Sequence, residues 1–373
     1  MESSRRGFLG GMAAGAAGML LPGCRLFAAP SAAYGRVLDE ARAQVADGLT
    51  LGVAVGRAGS DEMVFAGRQG PPPDAAPMDA LTRFDLASVT KTITASVCAT
   101  LVTEGRLDPD APFTEYFPEH ALGKSCAITV RDLATHSSGF ANFSGSRYTE
   151  DPAVHRGAAG FEEELRAKLP SRPRGTYRYS CYNYALLGTV AERAGGMPLD
   201  RLAAARVFGP LGMTHTRWWP VADDGHTVTV PLPMRDKRLR RTGEVHDEVA
   251  RYAGRPIGNA GVFSTLPDML RFADDLLRRR RFPKAHYDLL FTGTFRNGAD
   301  CRSFGFDMGD DGRPEGFSAS SIRHTGFTGQ LICVDPAQDF AGVVLTLRRP
   351  GAVGTLGARH RLLGLSRELR PSA

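Results

Sequence analysis

Ser88 and Lys91 are the first residues whose types and spacing can do chemistry. They lie in the segment FDLASVTKTITASVCATLVTEG. In a helix that starts near Ser88, the two side chains are neighbours, and Ala95, Cys98 and Val102 continue the same small, apolar face. Burial on that face is expected to lower the pKa of the lysine. A neutral amine accepts a hydroxyl proton, so the pair predicts an activated serine, with the N–H groups of the helix N-terminus available to a developing oxyanion. An N-cap serine beside a snorkelling lysine is the alternative that fits this spacing taken alone.

Two later segments favour the catalytic interpretation of Ser88 and Lys91. YSCYNYALLG begins at Tyr179, and RHTGFTGQLICVDP contains His324. In order and rough spacing, Ser88, Tyr179 and His324 resemble the SxxK, Tyr-x-Asn and Lys/His-Thr-Gly motifs of the class C β-lactamase, penicillin-binding and esterase superfamily of serine hydrolases. The resemblance extends from about residue 36 to residue 350 of the chain.

The resemblance implies a role for each matched position. Ser88 would be the acylated nucleophile, Lys91 its partner in proton transfer, and Tyr179 the group that carries the proton to the leaving group. His324 would support Tyr179 and meet an anionic or polar group of the substrate. A tyrosine beside a cationic lysine is expected to have a lowered pKa. The backbone N–H groups of Ser88 and Phe327 would form the oxyanion hole, and the substrate would contact Cys181, Thr325 and Gly326.

Two positions depart from the family pattern. Cys181 stands where the second motif has asparagine, and a thiol cannot replace the donor and acceptor of an amide. This substitution disfavours an efficient β-lactamase and suits an esterase or a peptidase-like relative better. A Cys181 thiolate is an alternative nucleophile, disfavoured because Ser88 has the lysine and the helix terminus. Leu347 stands where relatives have a polar residue near the edge of the cleft, and Arg348 or Arg349 would then supply positive charge there.

Histidines elsewhere in the chain suggest a different constellation. His136 and the pair His246–Asp247 would complete a triad with Ser88 if the fold brought them together. In the resembled family the corresponding stretches are mostly structural. We therefore expect hydrogen bonds that brace loops, and no contact of His246 with the cleft.

The elements that must position these residues predict an α+β fold. Hydrophobic alternation indicates strands at both chain ends, including TLGVAV, EMVFAG, FGFDM, QLICVD and FAGVVLTL. Helical periodicity dominates the segments between them. One antiparallel sheet built from both ends, flanked by helices and carrying a mainly helical insertion, satisfies this order. The predicted domains are residues 34–110 together with 255–373, and residues 111–254, with the cleft between them.

Residues 1–33 have the pattern of a targeting segment. Arg5-Arg6 precedes an uncharged, Gly- and Ala-rich stretch too short to span a membrane, which resembles a twin-arginine signal and predicts export to the periplasm. Cleavage before Tyr34 is favoured over lipidation at Cys24 in LPGC, and only that lipidation would attach the protein to a membrane. The other five cysteines, at scattered spacings, form no disulfide framework.

Composition and motifs exclude several classes of function. The net charge of +6 is spread along the chain, and no nucleic-acid-binding motif accompanies it. There is no HExxH or CxxC motif, so no metal site and no cofactor are predicted. The sequence therefore predicts an exported serine hydrolase that cleaves an amide or ester of a small molecule or peptide through a Ser88 acyl-enzyme. The alternatives are a non-catalytic penicillin- or peptidoglycan-binding sensor and a secreted scaffold.

Overall fold

A computed structural model describes residues 29–143, 157–222, 224–231 and 242–372. The predicted signal segment, including Cys24, lies outside these ranges except for its last residues. Ser31–Ala373 forms one compact unit. The division of this unit into two subdomains stays a prediction.

Both chain ends supply the main sheet, as the strand patterns predicted. β1 (Thr50–Arg57) and β2 (Met63–Gly67) form a hairpin, and β8 (Ile322–Thr325), β9 (Leu331–Asp335) and β10 (Phe340–Arg348) come from the C-terminal part. The five strands are antiparallel in the order β2-β1-β10-β9-β8. Because β1 pairs with β10, the last strand of the chain closes the sheet onto the first.

Shorter strands form two small sheets that the sequence did not reveal. The first has the order β3-β5-β4, and the second is the hairpin β6-β7. Each of these strands has only two or three residues, too few for a period-two pattern to be visible. Their bounds are β3 Phe84–Asp85, β4 Arg217–Trp218, β5 Val262–Ser264, β6 Phe295–Asn297 and β7 Asp300–Arg302.

Helices cover both faces of the main sheet and fill the middle of the chain. The described helices are α1 Ala32–Ala46, α2 Thr90–Thr103, α3 Val130–Ala134, α4 Gly157–Ala167, α5 Cys181–Gly195, α6 Leu199–Ala203, α7 Gly209–Leu211, α8 Glu248–Ala253, α9 Leu266–Arg278, α10 Lys284–Phe291 and α11 Thr355–Ser366. A single π-helical turn, Ala204–Phe208, joins α6 to α7. The Thr265 side chain caps α9 by accepting a hydrogen bond from the Asp268 N–H, and a proline lies in the first turn. In the described ranges no helix has the length and apolar character needed to cross a membrane.

The core has two parts, one on each face of the sheet. A smaller cluster fills the space between the sheet and the two terminal helices α1 and α11. A larger cluster joins the other face to α2, α5 and α9. Nearly every residue of α2 is buried, so this helix runs through the core and holds its N-terminal end, near Ser88, in a fixed position.

One predicted strand is wrong. Phe304–Met308, the segment FGFDM, is not a regular strand, although Asp307 bridges Arg302 and Arg323. Gly305 has a φ of +102°, and a Cβ there would lie 2.3 Å from the Cβ of Ala95. The chain bends at this glycine because it packs directly on α2, and that bend interrupts the strand.

Candidate active site

The Ser88 hydroxyl lies at the entrance of α2, on a tight turn. The helix that was predicted to start near Ser88 is preceded by a separate turn. Ala87–Val89 form a 3₁₀ turn, and α2 begins at Thr90. Ala87 has a φ of +46°, in the left-handed region that a non-glycine residue seldom adopts. Its N–H donates to the Asp85 carboxylate at 2.8 Å, which holds this conformation. The turn presents Ser88, half-buried, to the cleft.

Lys91 lies directly below Ser88 and is completely buried. Its Nζ donates to the Ser88 Oγ at 3.0 Å and to the Asn259 carbonyl oxygen at 2.8 Å, and it contacts the Cys181 Sγ at 3.6 Å. Burial acts to lower the pKa of Lys91, but the anionic forms of Cys181 and Tyr179 beside it raise this pKa above its ordinary value. The predicted lowering is therefore wrong, and Lys91 is an ammonium at neutral pH.

Tyr179 faces Lys91 from the opposite wall of the cleft. The Nζ of Lys91 lies 5.2 Å from the centroid of the Tyr179 ring, and the phenol interacts with the side chains of Ser88 and Lys91. The residue is 39% exposed, so it remains open to a ligand in the cleft. Burial of the hydroxyl raises the pKa of Tyr179 although Lys91 opposes this, so the predicted lowering is wrong here too. At neutral pH the pair consists of an ammonium and a phenol.

His136, which we expected to brace a loop, lies behind Tyr179. Its ring centroid is 4.5 Å from that of Tyr179, and its Nδ1 accepts from the Ser180 N–H at 3.3 Å. Burial, with Lys91 and Arg302, holds the pKa of His136 well below its ordinary value, so the ring is neutral. His136 thus supports the tyrosine, and no hydrogen bond joins it to Ser88 in the described structure.

The third predicted motif forms the end of β8. His324 is buried, and burial together with Lys91 and Arg302 lowers its pKa to about 3. The ring is therefore neutral and brings no positive charge to a substrate. Its Nδ1 lies 2.9 Å from the Thr325 carbonyl oxygen, so Nδ1 carries the hydrogen and Nε2 is an acceptor. Thr325 is exposed to the cleft.

The turn after β8 holds the backbone of Gly326 and Phe327 close to the segment that contains Ser88. A Cβ at Gly326 would lie 2.7 Å from the Leu86 carbonyl oxygen, so only glycine permits this approach. The Thr328 Oγ1 donates to the Asp85 carbonyl oxygen at 2.9 Å, which ties the turn to the segment before Ser88. Neither the Ser88 N–H nor the Phe327 N–H has a protein acceptor among the described residues.

Arg359 on α11, which the sequence did not single out, braces the same turn. Its Nη1 donates to the carbonyl oxygens of Gly326 at 3.3 Å and Gln330 at 2.9 Å. The side chain is 8% exposed and forms no ion pair in the described ranges. Burial, with Arg348 nearby, lowers its pKa to about 10, so it remains a cation at neutral pH. A buried guanidinium that bonds these two carbonyls fixes the peptide groups at the two ends of the turn that contains Phe327.

Cys181 is the first residue of α5, and its thiol is partly buried beside Lys91. Burial raises the pKa of Cys181, so it is a neutral thiol and a poor nucleophile at neutral pH. The side chain of Asn259 interacts with this thiol and partly opposes the effect of burial on its pKa. Asn259 was not visible from the sequence because no helical or strand period links it to Cys181.

The departure at Leu347 has a structural explanation. Leu347 is fully buried in the larger core cluster, so it does not border the cleft as expected. Arg348 does lie in the cleft wall, with its guanidinium 5.1 Å from the Phe327 ring centroid. Arg349 is absent from that wall, and its N–H donates to the Leu49 carbonyl oxygen.

The side chains around Ser88 line one cleft with a volume of about 1210 Å³. His246 and Asp247 also line it, which corrects the expectation that His246 stays away; its ring centroid lies 5.2 Å from that of Phe327. Among the described residues no cluster of three or more side chains suits a metal ion. Of the predicted site residues, the cleft wall contains Ser88, Tyr179, Cys181, His324, Thr325, Gly326 and Phe327, with Lys91 buried beneath them.

Sequence comparisons agree with the motifs. A profile of the Beta-lactamase family matches residues 39–365. The chain is 29% identical over 307 residues to a putative D-alanyl-D-alanine carboxypeptidase of Escherichia coli (strain K12), which covers 71% of this chain and 69% of that protein. It is 30% identical over 310 residues to the esterase EstB of Burkholderia gladioli, which covers 72% of this chain and 78% of the esterase.

Two solved structures have a fold similar to that of this chain. The octameric penicillin-binding protein homologue from Pyrococcus abyssi matches with a TM-score of 0.74 at 18% identity, over 90% of this chain and 78% of that one. EstCE1, a hydrolase with promiscuous acyltransferase activity, matches with a TM-score of 0.71 at 19% identity, over 90% of this chain and 98% of that one. At these identities the likeness concerns the fold.

Proposed function

The chain belongs to the Beta-lactamase family, and on that premise we propose that it is a serine hydrolase that cleaves an ester or amide through an acyl-enzyme on Ser88. The observation that carries the proposal is the hydrogen bond of 3.0 Å from the buried Lys91 Nζ to the Ser88 Oγ at the floor of the cleft. A snorkelling lysine would have its ammonium in water, whereas this ammonium has none of its surface exposed.

The proton path follows from the protonation states. An ammonium and a phenol hold one proton more than the reaction needs, so loss of that proton gives the productive form, in which Lys91 stabilises a Tyr179 phenolate. The phenolate accepts the Ser88 proton as the hydroxyl attacks the carbonyl carbon. Tyr179 then gives the proton to the leaving group, and water attacks the acyl-enzyme by the same route in reverse.

Two backbone donors have a place in this scheme. The unpaired N–H groups of Ser88 and Phe327 would stabilise the oxyanion that forms when Ser88 attacks. Their geometry is held by Asp85 on one side and by Arg359 on the other. Because His324 is neutral, it contributes an acceptor at Nε2 to the cleft and no charge.

The substrates favoured by this site are small esters and peptides of the D-alanyl-D-alanine type. The two relatives are named as a putative D-alanyl-D-alanine carboxypeptidase and an esterase, and Cys181 removes the amide that the resembled β-lactamases place on the acyl side. The twin-arginine pattern adds that the enzyme acts after export to the periplasm, where cell-wall peptides are available. Exchange of Arg5 and Arg6 for lysine, followed by cell fractionation, tests the export step.

Covalent labelling tests the reaction class. The protein is exposed separately to a fluorophosphonate probe and to a penicillin, and its intact mass is measured. We expect a fluorophosphonate adduct that Ser88→Ala abolishes and that Cys181→Ala retains. Turnover of p-nitrophenyl acetate against nitrocefin then separates an esterase from a β-lactamase. Well-folded protein that reacts with neither reagent would instead favour a non-catalytic binding module.

A further inference from the structure

The aromatic ring of Phe327 is exposed in the cleft wall, and the proposed mechanism uses only the backbone N–H of this residue. The residue is 57% exposed. Seven large apolar side chains are exposed among the described residues, and three of them, Tyr179, Phe327 and Leu356, line the cleft. Single apolar side chains on a surface are common, whereas several in one cleft are typical of a ligand site.

The ring of Phe327 contacts two side chains whose own backbones are fixed. Its centroid lies 5.2 Å from that of the His246 ring and 5.1 Å from the Arg348 guanidinium. The His246 N–H donates to the Asp85 carboxylate at 2.7 Å, and the Arg348 N–H donates to the Thr328 carbonyl oxygen at 3.1 Å. The ring is thus held in place with more than half of the residue exposed, and a preformed surface loses little conformational entropy when it binds a ligand.

Helix α11 brings a second apolar side chain to the same part of the cleft. Leu356 and Arg359 are three residues apart and therefore lie on one face of the helix. Arg359 bonds the carbonyl oxygens at the two ends of the turn that contains Phe327. Leu356 is 38% exposed and lines the cleft together with Pro350. Phe327, Pro350 and Leu356 form what we call the apolar lip of the cleft.

The position of Tyr179 indicates which part of a substrate meets the apolar lip. In the proposed mechanism Tyr179 gives its proton to the leaving group, so the leaving group lies beside Tyr179. The Tyr179 ring packs on His136, whereas the Phe327 ring packs on His246, so the two rings belong to different parts of the cleft wall. The acyl group extends from the other side of the carbonyl carbon, and it is the part of the substrate that remains to face the lip.

We propose that the apolar lip binds the hydrocarbon chain of the acyl group, and that the enzyme therefore prefers butanoate and hexanoate esters to acetate esters. The inference rests on the proposed function, since it names the acyl group of that reaction. Full burial of one methylene corresponds to about fourfold in affinity. Because the lip is open to water, we expect partial burial and a gain of about twofold for each methylene.

Two series of esters test the contact. The p-nitrophenyl esters of acetate, butanoate and hexanoate lengthen the acyl chain, and the ethyl, butyl and hexyl esters of acetate, followed by acid release in a pH-stat, lengthen the alcohol. Each kcat/KM is divided by the rate constant for hydroxide hydrolysis, which removes differences in intrinsic reactivity. From acetate to hexanoate the native enzyme is expected to gain about fifteenfold, with no comparable gain in the alcohol series.

Variants of the lip are judged by the gain per methylene within the acyl series and not by any single rate. Phe327→Ala and Leu356→Ser should each lower this gain, and Phe327→Leu should restore most of it, because leucine provides another apolar surface. Leu169→Ser is the matched control. Leu169 is 57% exposed, like Phe327, but does not line the cleft, so the gain should stay at the native value. Urea denaturation shows whether each variant is folded.

The outcomes separate the two proposals. Native enzyme with no gain along the acyl series, or lip variants that both keep the native gain, overturn the role of the lip and leave the serine hydrolase intact. A gain confined to the alcohol series, or equal losses for all acyl lengths in both lip variants, also overturns the inference. Native protein that hydrolyses none of the esters and forms no Ser88 adduct with a fluorophosphonate overturns the proposed function, and the inference falls with it.

Discussion

The protonation of the Lys91–Tyr179 pair makes a quantitative prediction about pH. Both pKa values are raised above their ordinary values, so the resting pair is an ammonium and a phenol throughout the neutral range. The productive form has lost one proton. While the pH is below the pKa of the pair, each rise of one pH unit increases the fraction of this form tenfold. We therefore expect log kcat/KM to rise with a slope of about 1, which is about a hundredfold between pH 6.5 and 8.5.

The assay is p-nitrophenyl acetate hydrolysis across this range, with the rate of Ser88→Ala subtracted because hydroxide hydrolysis has the same slope. The neighbouring imidazoles of His136 and His324 do not titrate there, since their pKa values are strongly lowered. His246→Gln serves as a control for the remaining histidine in the cleft wall. A profile that is level from pH 6.5 to 8.5, or that bends near pH 7 in both enzymes, would refute the assigned protonation states.

Three further predictions follow from the contacts around Ser88 and within the main sheet. Arg359→Met should lower kcat about tenfold with little change in KM, because it releases the carbonyl oxygen of Gly326. Arg359→Lys should recover part of the loss. Steady-state kinetics with a boronic acid inhibitor checks this prediction, and an unchanged kcat would count against it. Ala87→Gly should raise the free energy of unfolding by up to about 1 kcal/mol, measured by urea denaturation, since glycine adopts the left-handed φ without strain. Leu347→Ala should lower that free energy by about 2–5 kcal/mol while kcat/KM stays near the native value, and a large change in specificity without destabilisation would contradict its place in the core.

Helical and strand periods recover those parts of the site that depend on local geometry. The i, i+3 spacing of Ser88 and Lys91 predicts neighbours on one face, and their side chains are joined at 3.0 Å. The strand patterns at the two chain ends likewise predict one antiparallel sheet, which β1 and β10 form. In both cases the information lies within a few residues, where the backbone period fixes the directions of side chains.

The wrong predictions concern partners that are distant in the chain. The apolar face around Lys91 indicates burial, and burial alone gives a lowered pKa. The upward effect on this pKa comes from the ionisable groups of Tyr179 and Cys181, about ninety residues away, and no pattern within α2 indicates that they lie beside Lys91. The prediction that Leu347 lies near the cleft is wrong for a related reason. Eight of the nine residues of β10 are buried, so alternation of polar and apolar residues cannot show which face borders the cleft.

The difference between side-chain and backbone contacts explains why the cleft wall is intact although Cys181 replaces the asparagine of the family motif. At Cys181 the side chain that the family pattern provides is missing, yet the backbone N–H of Cys181 is still capped, and the cap is the amide of Asn142. Any amide that caps this N–H through its oxygen turns its nitrogen away from the helix. The cap is made to the backbone of residue 181, so the start of α5 is satisfied whichever side chain stands there.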